Sequence, residues 1–219
     1  MIKPASDSQP LPFERRVEAL RAELRLAQPL QLAAHTHTVY SPAEGFHLTL
    51  WERPHRLSFP ELIVYKPSGA EASPSIQALV LYYYLTADGA PLSERWVSLA
   101  ELPDGRFYNQ AYQGYRGRKL SLAFGNRLEA LAQAVQAQGG EAFRPPGAEE
   151  APGDAAFHFQ AFPRLPLLLV YWLGDEEFPA SAQVLFDASA SHYLPTDVCA
   201  ILGGMLTGRL IATQADKHP

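Results

Sequence analysis

Three segments of this chain contain residue types that could do chemistry, and the first is an acidic turn, Asp175-Glu176-Glu177, directly after an apolar run. Clustered carboxylates can bind a hard cation such as magnesium or calcium, or act as general acid and base. We predict that Asp187 lies across a hairpin from this turn, so these four residues form the predicted metal site. The alternative, which we favour, is a solvated turn in which Asp175 binds its own backbone.

The second segment is a pair of histidines, His35 and His37, separated by one residue. If this segment is extended, the two side chains share a face and both imidazoles could bind one metal ion. A metal site needs three or four converging ligands, and the spacing of the histidines matches no known zinc pattern. A chance pair is therefore the favoured interpretation.

The third segment, residues 106–119 (RFYNQAYQGYRGRK), is basic and aromatic and contains no acid. Its tyrosines recur at the spacing of one helical face. Basic residues interleaved with aromatics can hold phosphates and stack on planar groups. Alternatively, the tyrosines pack on the core with their hydroxyls in water, and the basic residues are solvated. The predicted ligand-binding surface consists of Arg106, Tyr108, Tyr112, Tyr115, Arg116, Arg118 and Lys119.

Composition restricts the class of protein. A net charge of −5 makes nucleic acid an unlikely partner, because phosphate contacts need a basic surface. The single cysteine, Cys199, permits no intrachain disulfide, and its apolar helical surroundings favour a small buried residue over a nucleophile. No apolar run is long enough to cross a bilayer, and the proline-rich N-terminus does not resemble a secretory signal. We expect a cytoplasmic protein without a membrane partner.

The apolar periodicity predicts an α+β fold. Helices are predicted over residues 13–28, 74–86, 121–138 and 195–211, with a further helix between 104 and 121. Strands are predicted at 46–51, 56–59, 62–65, 95–99, 157–162, 167–173 and 183–187. Residues 167–172 show no polar alternation, which is typical of a strand buried on both faces.

These elements predict one α+β domain over residues 13–212, with antiparallel strands in one or two sheets packed against about five helices. Residues 1–12 and 213–219 are predicted to be a flexible lead and a flexible tail. A polar, proline-rich stretch within 140–155 is either a boundary between two halves or only an insertion.

Several short motifs occur in a characteristic order along the chain. They are 81–89 (LYYYLTADG), 96–99 (WVSL), 101–103 (ELP), 162–167 (FPRLPL), 172–179 (WLGDEEFP), 185–187 (LFD) and 193–195 (YLP). Together they resemble a bacterial and archaeal family known as domain of unknown function 3786, over residues 14–212. The resemblance implies a cytoplasmic, prokaryotic protein and supplies no catalytic residues. Some relatives carry a cysteine-rich iron–sulfur segment, whereas Cys199 alone cannot hold such a cluster.

Two functions remain open from the sequence. The first is a non-enzymatic binding or accessory module, in which the surface at 106–119 holds an anionic or planar small-molecule ligand or a protein partner. The second is a metal-dependent enzyme that uses the acidic turn with Asp187 and His192. The sequence identifies no cofactor and no catalytic residue.

Overall fold

The computed structural model describes residues 12 and 14–215, and its description of side chains leaves out residues 108–116 and 215. Helices and two antiparallel sheets make up the described part, which confirms the α+β class. The predicted N-terminal lead lies outside the described residues except for residue 12. The last helix extends to Ala215, so residues 213–215 of the predicted tail are helical.

The first sheet is a four-stranded antiparallel meander in the order β1-β2-β3-β4. Its strands are β1 (Val39–Ser41), β2 (Gly45–Leu50), β3 (Arg53–Leu57) and β4 (Val64–Tyr65). Phe46, Leu48 and Leu50 of β2 are buried and alternate with exposed residues, as the sequence predicts.

A two-residue turn joins β2 to β3. Trp51 and Glu52 both have positive φ, 54° and 58°, as a type I′ hairpin turn requires. Asparagine and glycine are the usual residues at such positions, so a tryptophan here needs compensation. Trp51 is buried, and its N–H donates to the carbonyl of Ala161 at 3.0 Å, which ties this turn to the second sheet.

The second sheet has the strand order β5-β9-β8-β7-β6. Its strands are β5 (Trp96–Ser98), β6 (Glu141–Ala142), β7 (Ala155–Phe162), β8 (Leu165–Trp172) and β9 (Ser181–Asp187). Every residue of β8 except Trp172 is buried, which confirms a central strand covered on both faces. The edge strand β5 comes from much earlier in the chain and pairs Trp96 with Asp187.

The α-helices of the described part are α1 (Val17–Leu24), α2 (Pro29–Thr36), α3 (Pro74–Thr86), α4 (Gly105–Phe124), α5 (Leu128–Ala137) and α6 (Thr196–Ala215). Short 3-10 turns occupy Glu14–Arg16, Leu99–Glu101 and Ala190–His192. The α3 helix has the bounds that its periodicity predicts.

The prediction of one helix over residues 13–28 is wrong. The α1 helix ends at Leu24, and Pro29 begins α2 instead of ending the preceding helix. Proline is favoured at the first helical position because its missing N–H would have no intrahelical partner there. As a result, His35 lies in a helix.

The predicted helix over residues 121–138 is also wrong at its start. The α4 helix continues to Phe124 and ends at Gly125, which has a φ of 53°, and α5 starts at Leu128. Leu122 therefore belongs to α4, where its side chain is 75% exposed. Leu131 and Val135 of α5 are buried.

One main hydrophobic cluster includes residues from both sheets and from the helices. At its centre the Tyr83 ring of α3 stacks on Phe162 of β7, with ring centroids 4.2 Å apart, and lies 5.9 Å from Tyr193. Cys199 is fully buried in this cluster, which confirms its predicted structural role.

Candidate functional site

A groove between α4 and the loop that connects β8 to β9 brings together parts of two predicted sites. Its volume is about 770 Å³. Arg118 of the basic-aromatic segment lies on one wall, and Asp175 of the acidic turn lies on the other. The lining also includes Gly117, Ser121, Leu122, Asn126, Phe178 and Ala182. Two segments that the sequence treats separately therefore share one concave surface.

Hydrogen bonds fix the loop to the end of α4. The Asn126 side chain donates to the Gly174 carbonyl at 2.8 Å and accepts the Gly174 N–H at 2.7 Å. Nearby, the Tyr171 hydroxyl donates to the Gly125 carbonyl at 2.8 Å. Both walls of the groove are thus held in place without a ligand.

The close approach of α4 to β9 depends on Gly117. A Cβ atom at this position would lie 2.5 Å from the Ala182 carbonyl oxygen, closer than real contacts allow. Glycine is otherwise unfavourable in a helix interior by about 1 kcal/mol relative to alanine. Its presence here is explained by the strand backbone beside it.

The acidic turn is solvent-exposed and organised by its own backbone. Asp175 Oδ1 accepts the N–H groups of Phe178 at 2.7 Å and Glu177 at 2.9 Å. These two hydrogen bonds lower the pKa of the Asp175 carboxyl, and the bond from Phe178 has the larger effect. This is the geometry of the solvated turn that the sequence offered as the alternative to a metal site.

The structure does not bring Asp187 to the acidic turn. Asp187 ends β9, whereas the turn precedes the start of that strand, so about 20 Å of extended chain separates them. The Asp187 Oδ1 atom instead accepts hydrogen bonds from the N–H and hydroxyl groups of Ser93 and Ser189. In the part of the chain that the structure describes, no group of three or more histidine, cysteine, aspartate or glutamate residues is arranged to hold a metal ion.

The histidines considered as further metal ligands lie apart from the acidic turn. His37 directly follows α2 and has a left-handed φ of 51°, so His35 and His37 do not lie in the extended segment that a shared metal ion would require. Its Nε2 atom lies 2.6 Å from Arg164 Nη2, and burial followed by the charge of Arg164 lowers the pKa of His37. His192 pairs instead with Asp88, at 2.7 Å.

The predicted ligand-binding surface is only partly described. Arg106, Arg118 and Lys119 are exposed on α4. Arg118 lines the groove, whereas Arg106 lines a separate cleft of about 700 Å³ at the start of α4. The side chains of Tyr108, Tyr112, Tyr115 and Arg116 lie outside the described residues, so their role stays a prediction.

Sequence reasoning missed three residues of the groove. Leu122 and Phe178 are apolar yet exposed, and Asn126 links the loop to α4. A signal for Phe178 was its position directly after three acids, where a large apolar residue is unusual in a solvated turn. No local signal indicated Asn126, because its partner Gly174 is 48 positions away.

Comparisons with known proteins identify the chain at the level of family. A search of curated proteins and a search of solved structures each found no match. No described helix is both long enough and apolar enough to span a membrane. The family model described as "Domain of unknown function (DUF3786)" matches residues 28–209, which include every strand of both sheets and the groove. The chain therefore belongs to the DUF3786 family.

Proposed function

We propose that this protein is a non-enzymatic binding module, and that the groove between α4 and the β8–β9 loop binds a planar, mostly apolar ligand with an anionic group. One observation carries the proposal: Leu122 and Phe178, two large exposed apolar side chains on opposite walls, both line the groove. Large exposed apolar residues that line one groove are typical of a binding surface.

The apolar lining supplies the driving force for binding. Leu122 is 75% exposed and Phe178 is 67% exposed. Fully burying one such side chain contributes about 1.5–3 kcal/mol. A flat ligand between the walls would remove apolar surface of both residues from water, and its own apolar faces would gain in the same way.

The fixed walls reduce the cost of binding. The two hydrogen bonds between Asn126 and Gly174 hold the loop, and the Asp175 side chain holds the backbone N–H groups of Glu177 and Phe178. A ligand then does not have to order the loop, so less of the interaction free energy is lost to conformational entropy.

Arg118 supports the anionic part of the proposal. It is exposed on the groove wall, and no carboxylate of the described residues lies within ion-pair distance of it. A guanidinium group binds carboxylate, sulfonate or phosphate groups through paired hydrogen bonds. The ligand's acid would therefore lie at the Arg118 side of the groove.

The described lining favours binding over catalysis. Its titratable side chains are Arg118 and Asp175, and one oxygen of Asp175 already accepts two backbone N–H groups.

We further infer a cytoplasmic location, since a chain whose single cysteine is buried needs no oxidising compartment.

Two fluorescent probes test the proposal. Anilinonaphthalene sulfonate is planar, apolar and anionic, and N-phenylnaphthylamine has the same rings without the charge. We expect both to bind the wild-type protein, and both to bind Leu122→Ser and Phe178→Ser about tenfold more weakly. Arg118→Gln should weaken only the sulfonate, because only that probe offers the arginine a partner.

A matched control is Leu30→Ser on α2, since Leu30 is 73% exposed and lies outside the groove. This variant should bind both probes like the wild type. Equal weakening in Leu30→Ser and Leu122→Ser would show non-specific adsorption and contradict the proposal. If neither probe binds the wild-type protein, the proposal is also contradicted. In that case, a protein that co-purifies with the wild type but not with Leu122→Ser would indicate a protein partner.

A further inference from the structure

Arg209 on α6 is a partly buried cation with incomplete hydrogen bonding. Its Nε and Nη2 atoms are buried and have no hydrogen-bond partner among the described residues. The guanidinium carbon lies 5.3 Å from the centre of the Trp51 ring. The ring face attracts the positive charge but accepts no strong hydrogen bond, so it compensates the buried N–H groups only in part.

A second arginine directly follows the turn that contains Trp51. Arg53 starts β3 two residues after Trp51 and is exposed. Burial, followed by the positive charge of Arg53, lowers the pKa of Arg209 to about 10, so Arg209 remains a cation at neutral pH. Within the described residues, no carboxylate forms an ion pair with either arginine. Neither cation is thus ion-paired with an anion of the described residues.

A third arginine, on the same strand as Arg53, shows that an arginine stacked on an aromatic ring in this protein can also have a hydrogen-bond acceptor. Arg56 of β3 also stacks on an aromatic ring, 4.3 Å from the centre of Tyr65. Its Nη1 atom donates to the Glu44 carbonyl at 3.0 Å. Arg56 has both a ring and an acceptor, whereas Arg209 has only the ring.

We propose that Arg209 and Arg53 bind a dianionic oxyanion of the phosphate class beside Trp51, at a site independent of the α4 groove. Nη1 of Arg209 is not among its buried unpaired atoms and offers the route by which a ligand reaches the guanidinium. An oxyanion that accepts a hydrogen bond from Nη1 brings its negative charge next to the buried Nη2, whose N–H groups lack an acceptor. The two positive charges match the two negative charges of phosphate better than the single charge of a carboxylate.

The test is a thermal-unfolding titration of the full chain with inorganic phosphate, adenosine monophosphate and acetate, each at the ionic strength of a sodium chloride reference. A ligand of the native state raises Tm in proportion to ln(1 + [L]/Kd). We expect a saturable rise with phosphate and none with acetate. A larger rise with adenosine monophosphate would support the site and assign it to a phosphate ester, and an equal or smaller rise would support it as a site for free phosphate.

Variants assign the effect to the two arginines. Arg209→Gln and Arg53→Gln should each weaken phosphate binding about tenfold or more, because each removes a charged hydrogen-bond donor. Arg56→Gln, the matched control, should bind like the wild type. Because Arg53 is exposed, Arg53→Gln tests the site even if Arg209→Gln fails to fold. The proposal is overturned by the absence of a phosphate-specific rise in Tm, or by equal weakening in Arg53→Gln and Arg56→Gln.

Discussion

The β8–β9 hairpin has an aspartate near each end of β9, and the two carboxylates have opposite surroundings. Asp175 is exposed in the connecting loop and accepts two N–H groups from the next few residues. Asp187 is 2% exposed and accepts four donors, two of them from Ser93, 94 positions away. The first carboxylate organises a loop beside the groove, whereas the second joins distant segments. The same residue type thus has a local role at one end and a long-range role at the other.

The largest effect is expected at the buried end. Asp187→Ala removes the acceptor for the N–H and hydroxyl groups of Ser93 and Ser189, and should lower the free energy of unfolding by about 3 kcal/mol. Urea denaturation measures this loss. Asp187→Asn keeps one acceptor oxygen and should lose about half as much. A loss below about 1 kcal/mol for the alanine variant would show that water replaces the carboxylate.

The same carboxylate predicts an acid dependence of stability. Burial alone would raise the pKa of Asp187, but the hydrogen bonds from Ser189 and Ser93 outweigh it and lower the pKa. The pKa of Asp187 in the folded protein thus lies below the unfolded value of about 3.9. The ionised carboxylate therefore contributes its full stabilisation above about pH 3.9, and this stabilisation is lost as pH falls through the folded pKa.

The difference in unfolding free energy between the wild type and Asp187→Asn should therefore be constant between about pH 6 and pH 5 and shrink as pH falls below about 4. Urea denaturation across that pH range measures it. The pKa of Asp175 is also lowered, so the comparison needs the variant and not the wild-type curve alone. A difference that stays constant with pH would contradict the role assigned to the Asp187 charge.

At the groove end, the next largest effect is expected from Gly117→Ala. The added methyl would meet the Ala182 carbonyl and force α4 away from β9, at a cost of about 1–2 kcal/mol in unfolding free energy. The matched control is Gly208→Ala on α6, where no described atom lies within 4 Å of the new methyl. That variant should gain up to about 1 kcal/mol from helix propensity. Thermal unfolding compares the two, and a gain in Gly117→Ala would contradict the close contact.

The smallest effect on stability is expected from Asp175→Ala, because the carboxylate is exposed and its partners are local. Tm should stay close to that of the wild type, while the amide hydrogens of Glu177 and Phe178 exchange faster. Hydrogen-exchange mass spectrometry measures that change. A fall in Tm as large as that of Asp187→Ala would remove the distinction between the two ends.

The sequence predicted what depends on local pattern. The uninterrupted apolar residues of β8 identified that strand, because burial on both faces appears directly in the chain. The bounds of α3 were also predicted, although Gln77 to Tyr84 are all buried, so this helix is covered on every side and not along one stripe. Pro29 was misinterpreted because proline both ends helices and begins them, and only the extended Gln28 before it distinguishes the two cases.

The candidate sites were less predictable because their contacts are long-range. The Asn126–Gly174 bonds and the stacking of Arg209 on Trp51 join segments that no periodicity relates. For the same reason, Asp187 was placed near the acidic turn when β9 carries it away. The side-chain chemistry along the chain indicated which residues to consider as site residues. The sheet topology determines which of these residues lie close together in the fold.

The position of β5 also has a consequence for how the chain is made. Ser93 leaves the ribosome 94 residues before Asp187, its partner on β9, and the neighbouring strand β5 follows a few residues later. At a synthesis rate of about 5–20 residues per second, roughly 5 to 20 seconds pass before the partner strand of this edge emerges. In the first sheet, every strand pairs with the next one in the chain, so no such interval separates the partners. During synthesis, the interval before β9 emerges is therefore when the second sheet is most exposed to wrong pairing and to chaperones.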